Sequence, residues 1–461
     1  MGAGASTNVE HVLPSQPPPS DSVPSGRGEI LERRILQKNI HVITQNNIHA
    51  AVKEWNKNQD KAEKKYGHIS DWDVSNVTDM NDLFKDAAVF NDDIRSWDVS
   101  KVTTMRKLFS GAKAFNRDLN KWNVSAVTNM YKMFISAKAF NGDLNSWDVS
   151  SVTNMESMFS IAYAFNGDID SWEVSSVTNM ESMFMGAIAF NRDLKWNVSA
   201  VTNMSSMFAS TIAFNRDLDK WNVSSVTNMN GMFFDTSTFN GDLKWDVSSV
   251  TDMSSMFSCA IAFNRDLKWD VSAVTDMSFM FLDASAFNEN IDSWDVSAVT
   301  HMNSMFSKAT AFNRDLKWDV SAVTNMNYMF DDAASFNGDI SLWNVSAVTV
   351  MCGMFYSAIA FNRDLKWDVS AVTNMRRMFH DASAFNGDIS SWDVSSIPYV
   401  SNMFENTKSY KGCNGRTLFE KSRRKIANWN IKKNPLIALH DVKNHKVLSL
   451  SELKRMIILY V

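Results

Sequence analysis

Hydrophobic residues recur along most of this chain at one fixed set of spacings. With each copy numbered from its tryptophan as position 0, Trp97 is followed by Val99 at 2, Val102 at 5, Met105 at 8, Leu108 at 11, Phe109 at 12, Ala112 at 15 and Phe115 at 18. Polar residues fill most of the gaps. Fourteen tryptophans carry this frame, from Trp72, Trp97 and Trp122 to Trp343, Trp367 and Trp392, at intervals of 24 or 25 residues. A period in that range is the mark of a solenoid, because one short unit cannot enclose its own Trp, Val, Met and Phe and must be covered by its neighbours.

The period changes within each copy. Trp97 and Val99 alternate with Asp98 and Ser100, which is strand spacing with the apolar pair inward. Met105, Leu108, Phe109 and Ala112 then fall at i, i+3, i+4, i+7, one face of a helix. Thr103 stands where an N-cap belongs. Thr153 with Glu156, and Thr178 with Glu181, have capping-box spacing. The expected unit is a short strand, a turn, a helix of about two turns and a return segment. The expected fold is an α/β solenoid of 14 repeats, with parallel strands on one face and short helices on the other. Thirteen steps at about 4.8 Å give an array roughly 60 Å long. The longer copies carry one extra residue before the Trp, as in Ile94-Arg95-Ser96-Trp97, which predicts a bulge or a later strand start.

The flanks read differently. Residues 1–27 are small, polar and Pro-rich (Pro14, Pro17, Pro18, Pro19, Pro24) and are expected to be disordered. Residues 28–71 are expected to form a helical N-terminal cap, with Ile48, Ala51, Val52 and Trp55 on one face and Asn46 or Asn47 at its start. The repeat solenoid spans 72–410. In its last copy Pro398 replaces Thr, Tyr410 replaces Phe and Lys411 replaces Asn, so the array ends there. Residues 411–461 are expected to form a basic C-terminal cap or appendage.

Composition narrows the function. Residues 71–408 carry 25 Lys/Arg against 41 Asp/Glu, and residues 409–461 carry 12 against 3. An acidic array excludes nucleic acid along its length, since phosphates need a positive track. The basic tail, with Lys421, Arg423, Arg424, Lys425, Lys432 and Lys433, suits anionic lipid or an acidic partner. Cys259, Cys352 and Cys413 are far apart, so neither a disulfide framework nor a metal site is implied. The last apolar run, Met456 to Val461, is too short to span a bilayer. The N-terminus lacks the basic start and apolar core of a secretory leader. It begins Met1-Gly2-Ala3-Gly4-Ala5-Ser6, which fits the signal for N-myristoylation at Gly2. The expected location is therefore the cytoplasm or a cytosolic membrane face, with the cell surface as the alternative.

The copies W-D-V-S-x-V-T-x-M-x-x-M-F-x-x-A-x-x-F-N-x-D-[LI] resemble the BspA-type leucine-rich-repeat surface proteins, most closely the branch found in mycoplasma lipoproteins. The resemblance covers about 72–410, and the segment Tyr66-Gly67-His68-Ile69-Ser70-Asp71-Trp72 is similar to the usual lead-in. It implies a right-handed leucine-rich-repeat-like solenoid and a role in surface attachment or protein recognition. It also implies that the Asn column at position 19, Asn91 to Asn386, hydrogen-bonds backbone groups of adjacent turns.

Position 1 carries a second column, with Asp73, Asp98, Asp148, Asp246, Asp270, Asp295, Asp319, Asp368 and Asp393 among its members. These are expected to point outward and form the candidate binding face. Lys195, Lys220, Lys244, Lys268, Lys317 and Lys366, just before the Trp, are placed to relieve their mutual repulsion. A stacked acidic column raises calcium as an alternative, though the glycine-rich calcium repeat is absent and Asn and Lys interrupt the charge. No phosphate loop, dinucleotide fingerprint or H-E-x-x-H motif occurs. The scattered His, such as His301 and His380, read as surface residues, and the Met/Phe stripe as core. The sequence therefore points to a non-enzymatic scaffold for protein–protein interaction or surface attachment. It needs no cofactor, binds an unknown protein partner, and has Gly2 and the basic tail as possible membrane contacts. A calcium-dependent or glycan-binding surface module is the alternative.

Overall fold

The computed structural model describes residues 41–410. Expectations for 1–40 and 411–461, including Gly2 and the basic tail, lie outside the described residues. The chain enters through two short helices, α1 (Ile48–Lys57) and α2 (Gln59–Tyr66), and a 3-10 turn, Ile69–Asp71. Ile48, Ala51, Val52 and Trp55 are the buried face of α1, as their spacing predicts. Asn47 stands at its N-cap but makes no side-chain cap bond; its Oδ1 takes the N–H of Thr44 instead. Asn58 is extended, separates the helices and caps α2 by accepting from Lys61 N–H.

From Trp72 onward the chain is a repeat solenoid, but neither predicted element forms. Among the described residues of the repeats there is no helix and no continuous strand. Thirteen isolated parallel bridges join the copies, and all lie at position 7, from Asp79–Thr104 to Asn374–Tyr399. Around each bridge, alternate N–H groups reach the next coil. Met80 donates to Thr104, Asp82 to Arg106, Phe84 to Leu108 and Asp86 to Ser110, at 2.7–3.1 Å. The expected helix segment is thus the sheet-like part of the coil.

Within the coil the same segment is two linked four-residue turns. Leu83 N–H returns to Met80 C=O and Ala87 N–H to Phe84 C=O. The third residue of each turn is left-handed, as a type II turn requires. Both such positions, 10 and 14, have positive φ in every coil, as at Asp82 (57°) and Asp86 (59°). Turns linked at a period of four bring positions 8, 11, 12 and 15 inward just as a helix would. That degeneracy explains the mistaken helix. A helix would also spend its carbonyls on its own N–H groups, whereas here they join coil to coil.

Thr103 accordingly caps no helix. Its N–H and Oγ1 both donate to the carbonyl of Thr78, and the same rung recurs from coil to coil up to Thr373. Glu156 and Glu181 close no capping boxes; their carboxylates accept from Asn179 and Asn203 of the following coils. The Trp–Val segment is not a strand either. It ends in a turn closed by the N–H at position 5 and the C=O at position 2, as from Val102 to Val99. The extra residue of the longer copies makes a turn, with Trp97 N–H returning to Ile94 C=O, rather than a strand bulge.

The core is a set of columns. Trp, both Val, both Met or Leu, and both Phe are buried in coil after coil. Each indole N–H, from Trp97 to Trp392, donates to a Leu or Ile carbonyl one coil back, so the one polar atom of the ring is satisfied. The aromatic columns stack, as in Trp245 over Trp269 with centroids 6.2 Å apart and Phe233 over Phe257 at 5.7 Å. At the entry, Gln45 stands in for a missing coil. Its Oε1 takes the N–H groups of Thr78 and Asp79, and its Nε2 donates to Asp79 C=O. Trp55 and Tyr66 meet Trp72 edge-on.

Candidate interaction faces

All nine candidate aspartates at position 1 are exposed. None is idle. The Oδ1 of Asp73, Asp98, Asp148, Asp246, Asp270, Asp295, Asp319, Asp368 and Asp393 each accepts the backbone N–H of the Ser two residues on, at 3.0–3.1 Å. This is an Asx turn, and Asn123, Asn197, Asn222 and Asn344 make it equally well. Hydrogen bonds from Ser75, Ser100, Ser150 and Ser248 hold Asp73, Asp98, Asp148 and Asp246 below the ordinary carboxylate pKa. Stacking opposes this: Asp73 pushes Asp98 up and Asp270 pushes Asp246 up. The lysines before the Trp do not relieve that column. Lys195 pairs with Asp170 at 2.6 Å, Lys220 with Asp219 at 3.0 Å, Lys268 with Asp266 at 3.0 Å and Lys317 with Asp292 at 3.6 Å. Among the described residues no group of three or more His, Cys, Asp or Glu is arranged to hold a metal ion.

The Asn column behaves as the resemblance implies, with the backbone group identified. The N–H of Asn116 donates to Asn91 Oδ1, Asn141 to Asn116, and so on to Asn386 on Asn362. Next to it, position 20 alternates in character. Arg117, Arg192, Arg216, Arg265, Arg314 and Arg363 donate Nε to the Asn carbonyl one coil back. Gly142, Gly241, Gly338 and Gly387 each follow an Arg coil and lie against that Arg's carbonyl oxygen, where a Cβ has no room. The paired Arg and Gly copies are therefore a packing device.

With the repeated polar groups committed to stacking, differences between coils collect on one arc, positions 9 to 16 outside the core. The arc has three regions. The first coils carry Arg106, Lys107, Lys113, Lys132 and Lys138 around Tyr131 and Tyr163. The middle coils bury a separate outer cluster, Met185, Ala209, Phe234 and Cys259. The last coils hold a polar cluster that the sequence does not announce. Asp331 is buried, accepts from Ser307 Oγ at 3.2 Å, and is pushed up to about 7 by that burial and by the charge of Asp332. Cys352 Sγ lies 3.5 Å from Tyr328 Oη. His380 is not the surface residue expected. It stacks on Tyr356 at 4.8 Å and lies between Asp381 (2.8 Å) and Glu405 (3.3 Å). The only hint of this cluster in the sequence is a charged or ring residue where other coils have Ser, Ala or an aliphatic side chain.

A cleft of about 350 Å³ lies where α1 meets α2 over the first coil, lined by Trp55, Asn58, Gln59, Val89 and Asp92 among others. Asp92 accepts there from Trp55 Nε1 and Gln59 Nε2. No helix among the described residues is long and apolar enough to cross a membrane.

The model of the family described as "Mycoplasma protein of unknown function, DUF285" matches residues 50–172, 164–267, 242–317 and 316–415. No curated protein matches the chain. Among solved structures, an internalin from Listeria monocytogenes aligns with a TM-score of 0.21 and 8% identity, over 67% of this chain and 84% of that one. The family matches overlap end to end across residues 50–415, and the chain belongs to that mycoplasma repeat family.

Proposed function

We propose that this member of the mycoplasma repeat family is a non-enzymatic scaffold that recognises a protein partner through the variable arc of its coils. The observation that carries the reading is the division of labour within each copy. Thr, Asn and Trp bond coil to coil and the position-1 Asp closes a turn within its own coil, while residues at positions 9, 10, 13, 14 and 16 change from coil to coil. A repeated surface discriminates poorly, whereas a varied one selects. In this reading the segment before Trp72 caps a solenoid of 14 repeats. Residues 1–27 are an N-terminal segment acylated at Gly2, residues 411–461 are a basic C-terminal cap or appendage, and the protein is cytoplasmic or sits on a cytosolic membrane face. Membership of the BspA-type branch belongs to the same proposal.

The position-1 aspartates are the competing face, and the two are separable. Asp148→Asn, Asp246→Asn and Asp270→Asn together keep every Asx turn, since Asn makes the same bond elsewhere in the array. Phe279→Ser, Tyr328→Ser and Tyr356→Ser alter only the arc. Partner capture by the full-length chain should survive the first set and fail with the second. The reverse result would move recognition to the aspartate column. Capture by the Asn variant lost together with a calcium-dependent melting shift would favour the calcium module.

A further inference from the structure

The arc carries one straight column in which chemistry changes in a definite order. Position 16 is Lys113, Lys138, Tyr163, Ile188 and Ile212 in five successive coils. Backbone hydrogen bonds keep these coils in direct register: the N–H of Ala139 donates to Lys113 C=O, Ala164 to Lys138, Ala189 to Tyr163 and Ala213 to Ile188. All five residues are exposed. Tyr163 at 39%, Ile188 at 43% and Ile212 at 44% are among the few large apolar side chains outside the core, and Ile261 continues the column two coils on. Lys138 Nζ lies 4.9 Å from the Tyr163 ring, so the cationic and apolar parts are joined.

The same end of the array concentrates positive charge. Arg106, Lys107 and Lys132 surround Tyr131, at 5.3, 5.6 and 5.1 Å from its ring. With Lys113 and Lys138 they give two adjacent coils five cations and no carboxylate at the varying positions. The neighbouring acids on the arc are Asp82 and Asp86 one coil earlier, where Lys85 pairs with Asp82 at 3.7 Å, and Glu156 one coil later, whose carboxylate accepts from Asn179. Elsewhere the array is strongly acidic. A negatively charged surface is therefore repelled along most of the molecule and attracted here.

We propose that the column Lys113–Lys138–Tyr163–Ile188–Ile212, with its flanking cations, is a contact surface for an anionic lipid bilayer. Clustered Lys and Arg meet acidic headgroups, and the aromatic and aliphatic side chains beside them enter the boundary with the acyl chains. The lysine stems bridge the two zones. The inference deepens the membrane attachment in the reading above and rests on it for the bilayer, though not for the lipid on Gly2. One acyl chain holds a protein only marginally and needs a second signal. This strip supplies it at the N-terminal end of the array.

The test uses the full-length chain made in a host that does not acylate it, sedimented with phosphatidylcholine vesicles with or without phosphatidylserine. Binding is expected only with phosphatidylserine and should weaken as salt rises. Lys113→Glu with Lys138→Glu should lower partitioning about tenfold. Ile188→Ser with Ile212→Ser should lower it severalfold while leaving the salt dependence unchanged. Equal pelleting with both vesicles, no pelleting, or an unaffected lysine variant would overturn the proposal. So would a self-associated chain that Ile188→Ser with Ile212→Ser makes monomeric without vesicles, which would give the strip to a second copy. Gly2→Ala in an acylating host tests the tether separately: loss of membrane retention in cells with vesicle binding intact leaves the strip standing.

Discussion

The backbone N–H and the hydroxyl of Thr103 both donate to a single carbonyl, that of Thr78, at 2.9 and 3.2 Å. One residue thus supplies two of the bonds between neighbouring coils, and the pair recurs at Thr251 on Thr227. Thr251→Val keeps the shape and the N–H but loses the hydroxyl bond, and should cost about 1 kcal/mol. Thr251→Pro loses both bonds and should cost about 3 kcal/mol or more. Stability in a stacked array is a nearest-neighbour quantity. The proline variant should therefore unfold in two steps in denaturant and be cut by protease near residue 251. A single unshifted transition would show that the rung does not couple the coils.

Gly338 and Gly167 both occupy position 20 but have different neighbours. A Cβ on Gly338 collides with the carbonyl of Arg314, which is backbone and cannot swing aside. One on Gly167 meets Phe165 at 3.1 Å, and the nearest carbonyl, that of Gly142, is 3.7 Å away. Gly338→Ala should destabilise by about 2–3 kcal/mol, and Gly167→Ala by under about 1 kcal/mol. Parallel urea melts of the two variants check this, and equal costs would mean that the Arg–Gly alternation has no packing basis.

Much of the core could be read from spacing, because burial is what spacing records. Trp97, Val99, Val102, Met105, Leu108, Phe109 and Phe115 are all inside. The Asn column was legible as structural, and so was the buried face of α1. The local backbone was not. Met105, Leu108, Phe109 and Ala112 fit a helix and a pair of linked turns equally. What separates the two is the destination of the carbonyl groups, which side-chain pattern does not encode. The left-handed positions are likewise hidden, since Ser, Lys, Phe and Ile occupy them as well as Gly and Asp. The exposed aspartates were found, but their Asx-turn bonds were not anticipated. The Asp331 and His380 cluster was missed because a single buried charge leaves no periodic trace.

Those left-handed positions carry their own prediction. Ile161 is β-branched at φ 59°, in a conformation that glycine adopts at Gly186 one coil later. The strain is held by its N–H bond to Met185 and is a cost to folding. Ile161→Gly should therefore be neutral or stabilising by up to about 1 kcal/mol, against the ordinary expectation for trimming a half-buried isoleucine. Thermal melts of Ile161→Gly beside Ile161→Ala separate the causes. Alanine removes the branch but keeps the Cβ, so it should fall below glycine. The opposite order would locate the effect in lost packing.

Asp331 sets the last expectation. Burial raises its carboxyl to about 7, against an unfolded value of about 3.9. The folded state therefore binds the proton more tightly than the unfolded chain does. Its stabilising contribution is fully present below about pH 3.9 and is lost as pH rises through about 7. Over that window this one group makes stability fall with rising pH, by a few kcal/mol at most. The position-1 aspartates run the other way: Asp148 and Asp246, held low by Ser150 and Ser248, lose their contribution as pH falls through their lowered values. The two effects separate in Asp331→Asn, which keeps an acceptor for Ser307 Oγ without a charge to bury. The variant should melt above the wild type at pH 8, and the gap should narrow towards pH 5, where the wild-type carboxyl is already protonated. A constant gap across that range would show that Asp331 does not titrate there, and that the carboxylate is carried charged within the outer arc.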